Sequence, residues 1–230
     1  MDVNLEQLVY NEVTILIPLI LAIAVHEWAH VAMARFLGDS TGTSLGRFTL
    51  NPLAHIDPVW TLLVPAVFVY LQSGGLAVPF FGAGKPAPYN PVRLDRKING
   101  KRISMRTGTL LVALAGPLSN VALFAVSAVV MVVLVKAGFS LADAHSPALL
   151  LLRFALLNAG LAVFNLVPIP PLDGSKVLMG LLPRDAAAKY ERVAAQLSWV
   201  FLLLLFAGGA RLVFGPVQNA VAQFLFSLAT

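Results

Sequence analysis

Apolar residues in this chain come in long runs rather than in the three-and-four spacing of an amphipathic helix on a soluble core. Val13 to Leu37, Thr107 to Lys136 and Ala148 to Pro168 are each long enough to cross a bilayer as a helix. Val59 to Phe81 approaches that length but is interrupted by Pro65, Gly74-Gly75 and Pro79, the pattern of a broken span or a re-entrant hairpin. The tail, Ala194 to Leu228, has room for one kinked or two short spans, with Gly208-Gly209, Arg211 and Gly215-Pro216 marking the break. The pattern therefore predicts an all-α polytopic membrane protein, a bundle of about 4–6 transmembrane helices with a re-entrant or β-hairpin-like segment between the first span and the Ala115-Gly116-Pro117 span. A single domain over residues 1–230 is expected, with its core at 13–181 and a C-terminal helical segment at 190–229.

Composition agrees. Of 230 residues, 58% are hydrophobic and 12% charged, against about 25% charged in an ordinary soluble domain. Such loops leave no room for a folded extramembrane domain, so the chemistry is expected inside the bilayer. The absence of cysteine excludes disulfides and thiolate metal sites and leaves His and carboxylates as ligands. The formal net charge of +5 gathers in membrane-flanking loops, above all Lys85 to Arg106, where topology and anionic lipid explain it, and no nucleic-acid partner is expected. The first residues carry Asp2, Glu6 and Glu12 and no Lys or Arg, unlike a signal peptide, so a short acidic lead of residues 1–12 and a retained first helix are expected.

Polar residues inside the apolar runs are costly in lipid and mark the chemistry. The first run holds His26-Glu27-Trp28-Ala29-His30, and residues four apart share one helix face. This is the H-E-x-x-H pattern, two imidazoles for one zinc with the Glu beside the adjacent position as general base. Pro18 lies in the same run, where a kink is tolerated.

The segment after Gly38-Asp39 is too polar to span. It suggests strand and turn, with an extended patch at Leu45 to Leu50, and its His55 and Asp57 read first as turn caps and second as ligands. Asn120 needs a polar partner, whether in helix packing or at the site. His145 reads as a loop histidine.

Polarity re-enters at FNLVPIPPLDG, where Pro168, Pro170 and Pro171 deny the backbone a regular helix. Asp173 would complete a two-His, one-carboxylate zinc set, or it would cap the short helix Gly174 to Leu182; with His26 and His30 present, ligation is favoured. Asn165 could donate its amide to a substrate carbonyl or developing oxyanion. Arg211 would snorkel to the interface or pair within the bundle.

Taken in order, HEWAH, AGPLSN and FNLVPIPPLDG resemble the site-2 protease family of intramembrane zinc metalloproteases, peptidase family M50, in a compact form without PDZ or CBS domains. The resemblance implies one Zn²⁺ per chain held by His26, His30 and Asp173, with Glu27 as base and Asn165 on the substrate. It implies an endopeptidase that cuts within or near transmembrane segments of membrane proteins. Unlike some members of that family, this chain is expected to hold no peptide-binding domain between its spans and no spanning helix before the HEWAH one.

Topology constrains the same reading. Were residues 59–81 to cross fully, the histidines, about 20 to 26 Å along the first helix, and Asp173 would lie toward opposite faces. A re-entrant segment puts both motifs in one half of the bilayer, the cytoplasmic half of the cell membrane by the positive-inside bias. A zinc-binding scaffold or metal-ion transporter is the alternative, although no internal repeat supports it.

Overall fold

The computed structural model describes residues 5–73, 84–98, 100–204 and 210–229. Helix α1 runs over Leu5–Phe36 and is continuous through Pro18, so residues 5–12 belong to the helix and are not a separate lead. It ends where Leu37 and Gly38 turn, Gly38 at φ +112°. A β-carbon there would meet Asp95 Oδ1 at 2.9 Å, so both the backbone angle and the close approach call for glycine. The freed Leu37 carbonyl accepts from the amides of Asp95 and Arg96, each at 3.0 Å. That ties the long interhelical loop to the end of α1, and Leu94 buries itself beside Ala34, Leu37 and Val112.

The expected strand at Leu45 to Leu50 does not form. A short helix, α2 (Thr41–Ser44), is followed by a turn at Gly46 with φ +70°. Phe48 then folds back to stack on Trp28 of α1 at 6.0 Å, under the Arg35 guanidinium. Packing of one aromatic on the neighbouring helix overrides the local preference for strand. Asp57 caps a π-helical turn over Pro58–Leu63, its Oδ1 accepting from Val59 and Trp60 at 2.9 and 3.0 Å, and helix α3 (Val64–Ser73) follows and packs against α1. The expected interruption at Gly74-Gly75 and Pro79, and with it the return of a re-entrant segment, lies outside the described residues. The hairpin that does form pairs β1 (Lys97–Ile98) with β2 (Lys101–Arg102), antiparallel, around Gly100 at φ +76°.

Helix α4 (Met105–Lys136) is the axis of the molecule, packing on α1, on α5 (Pro147–Leu166), on α6 (Asp173–Leu181) and on α8 (Ala210–Ala229). Ser104 caps it by accepting from the Thr107 amide at 3.0 Å. Helix α7 (Arg184–Leu204) follows α6, its Phe201 stacked on Phe164 of α5. Helix α8 runs unbroken through Gly215-Pro216, so the expected break does not fall there; Gly208-Gly209 and the side chain of Arg211 lie outside the described residues. Among the described residues three helices are long and apolar enough to cross a membrane: Val13–Phe36, Met105–Lys136 and Pro147–Leu166. Leu118, Val126, Val129 and Val133 are exposed along α4, and lipid is the solvent that such a face suits. The protein is an integral membrane protein.

Candidate metal centre

Two pieces of chain more than 140 residues apart meet where α1 nears its end and α6 begins. His26 Nε2 and His30 Nε2 lie 3.0 Å apart, and each is 3.1 Å from Asp173 Oδ2. All three residues are buried. Zinc ligand distances of 2.0–2.1 Å in a tetrahedron put neighbouring donors about 3.3 Å apart, so three such atoms at 3.0–3.1 Å fit one small divalent cation with little adjustment. The donor set, two neutral nitrogens and one carboxylate oxygen, is that of catalytic zinc.

Each imidazole is held from behind. His26 Nδ1 lies 2.6 Å from Asn120 Oδ1, and His30 Nδ1 lies 2.7 Å from the Val112 carbonyl oxygen, both partners on α4. A ring nitrogen facing a carbonyl oxygen must carry the proton, which leaves both Nε2 lone pairs for a metal. Asn120, left open between packing and site, is thus the buried partner of His26. Gly116 explains the bare spot in α4 beneath the rings: a β-carbon there would come 2.4 Å from His30 Nε2 and 2.6 Å from His26 Cε1.

Asp173 owes its position to the proline-rich break. Gly174 sits so close to the end of α5 that a β-carbon would be 2.2 Å from the Leu166 carbonyl oxygen. At the other end of α6 the Arg106 guanidinium, from α4, donates to the Met179 carbonyl at 2.6 and 2.9 Å. Leu172, not Asp173, occupies the N-cap position of α6, and no side chain caps it, so the carboxylate is free for the site.

A cavity of about 210 Å³ opens beside the cluster. Glu27 lines it, its Oε2 accepting from the Ala87 amide at 2.7 Å. Asn165 lines it too, one amide hydrogen engaged by the Leu161 carbonyl at 3.0 Å. Two residues that the sequence did not single out complete the wall. Lys176 places Nζ 3.9 Å from Asp173 Oδ1, a spacing one helical turn beyond Asp173 that makes it legible in retrospect. Tyr89 lies beneath that ammonium at 5.7 Å, and burial together with the Asp173 charge pushes its phenol above the usual 10.0, so it stays protonated. His55 and Asp57 take no part: Asp57 is a helix cap, and His55 bonds the Thr49 carbonyl through Nε2. His145 packs edge-on against Tyr10, far along the chain from the cluster.

Membrane-crossing helices around a buried pair of imidazoles, a carboxylate and a neighbouring glutamate define the class of membrane-embedded metallopeptidases. The model of "Peptidase family M50" matches residues 139–205, the stretch that carries Asn165, Asp173 and Lys176. The chain is 33% identical over 216 residues to "Putative zinc metalloprotease YwhC" of Bacillus subtilis, covering 93% of this chain and 90% of that protein. It is 31% identical over 188 residues to "Putative zinc metalloprotease Rip2" of Mycobacterium tuberculosis, 81% of this chain and 64% of the relative. With a relative matched at that identity across nearly its whole length, the chain belongs to peptidase family M50. No solved structure matches it.

Proposed function

We propose that this membrane peptidase hydrolyses peptide bonds within or beside the membrane-spanning segments of other proteins, with Zn²⁺ held by His26, His30 and Asp173. The observation that carries this reading is the meeting of those three donor atoms at 3.0–3.1 Å, from two distant pieces of chain, at the wall of a cavity shared with Glu27. Zinc, when bound, supplies Lewis acidity: it brings a water molecule to a pKa of about 7 and polarises a carbonyl.

The side chains do the rest. Glu27, steadied by the Ala87 amide, takes the proton from water and later delivers it to the departing amine. Asn165 keeps one amide hydrogen on its own helix and offers the other to the substrate carbonyl or the oxyanion. The Lys176 ammonium offsets negative charge as it builds in the cavity. A helical substrate hides its carbonyls, so it must unwind locally to enter.

The active site faces the cytoplasmic half of the cell membrane in this reading. Supporting it, the segment that follows α1 begins at the end of that helix nearer the cluster, and its described residues include exposed Arg93, Arg96, Lys97, Lys101 and Arg102, as the positive-inside bias prefers. The test is incubation of purified wild type and Glu27→Gln with a panel of single-span substrates, zinc being measured in both. Cleavage by wild type, a loss of about 10²–10⁴-fold in the variant and equal zinc contents are expected. Metal flux through vesicles with no cleavage by wild type would overturn the reading in favour of transport.

A further inference from the structure

The two histidines present Nε2 to the same point, and a neutral imidazole can do so only while its proton sits on Nδ1. For His30 a backbone carbonyl, that of Val112, imposes this directly. For His26 the partner is a side-chain amide, which by itself could turn either its oxygen or its NH₂ toward the ring.

What fixes Asn120 lies one helix further back. Asn120 is fully buried, and its Nδ2 donates to Asn158 Oδ1 of α5 at 2.9 Å. Asn158 is fully buried as well, and its Nδ2 donates to the Phe154 carbonyl at 2.9 Å. A carbonyl can only accept, so Asn158 must turn its NH₂ to Phe154 and its oxygen to Asn120. Asn120 must then donate to Asn158 and turn its own oxygen to His26. His26, facing an oxygen at 2.6 Å, must hold its proton on Nδ1.

We propose that Asn158 is a positioning residue that selects the metal-binding tautomer of His26 through Asn120, while touching neither the metal nor the imidazole. The inference rests on the reading of His26 as a zinc ligand. Replacing Asn158 by leucine strands the Asn120 NH₂ in an apolar site and frees Asn120 to flip, which puts NH₂ against the ring and the imidazole proton on Nε2. Replacing it by aspartic acid retains the relay, because a neutral carboxyl in so buried a place accepts from Asn120 and donates to Phe154.

The experiment is titration of the metal-free full chain in detergent with Co²⁺, followed by its ligand-field absorption, for wild type, His26→Ala, Asn158→Leu and Asn158→Asp. Orienting partners of this kind are worth about 10–100-fold in metal affinity, so Asn158→Leu should bind that much more weakly, with a weakened or altered Co²⁺ spectrum, and Asn158→Asp should bind close to wild type. Wild-type affinity in Asn158→Leu, or equal weakness in the Leu and Asp variants, would overturn the proposal by reducing Asn158 to a packing residue. Undiminished binding by His26→Ala would instead remove the zinc reading, and this inference with it.

Discussion

Helix α4 carries two unlike surfaces. Its first half, Gly108 to Asn120, faces the cluster with a glycine under two imidazoles, a carbonyl on one ring and a buried amide on the other. Its second half packs Ala128 and Met131 against Leu152, Ala155 and Leu225, an apolar cluster. Between helices in lipid there is little hydrophobic driving force, so the second half is held by close fit alone. The first half is held by directional bonds and by space denied to any β-carbon. Shape can relax around a change, whereas a donor turned the wrong way cannot, so metal affinity should be sensitive at one end of α4 and indifferent at the other.

The largest effect should come from Gly116→Ala, whose methyl group would meet His30 Nε2 at 2.4 Å. Metal affinity should fall by more than about 100-fold, beyond the cost of losing an orienting partner, as measured by zinc competition. Asn120→Leu comes next, at about 10–100-fold weaker binding, because it leaves the His26 Nδ1 proton without an acceptor. Lys176→Met should leave zinc content unchanged and lower kcat/KM by about tenfold, less than the loss of a well-buried oxyanion donor, because the side chain is partly exposed. Met131→Ala should sharpen the contrast from the other end. It opens a cavity costing about 2–5 kcal/mol of stability, visible as a lower unfolding midpoint, with metal affinity unchanged. A loss of affinity in Met131→Ala larger than that in Asn120→Leu would break the comparison.

Much of this was legible in the residues themselves. The spans at 13–36, 105–136 and 147–166 follow from long apolar runs, and the cluster of His26, His30 and Asp173 follows from polar groups placed where lipid penalises them. What escaped depends on contacts across the fold. Asn158 carries the same signal as Asn120, an amide inside an apolar run, but what it does depends on its partner, an amide 38 residues away on another helix. Val112 acts through its carbonyl, which every residue type shares. The patch at Leu45 to Leu50 is expected to be extended, yet Gly46 turns the chain and Phe48 stacks on Trp28, far back on α1.

The measurement that bears most directly on the account is zinc K-edge X-ray absorption of the purified protein, wild type against Asp173→Ala. The account predicts a first shell of nitrogen and oxygen at about 2.0–2.1 Å with scattering from two imidazoles, and an oxygen contribution lost or replaced in the variant. A wild-type shell lacking imidazole, or a spectrum indifferent to the loss of Asp173, would contradict it.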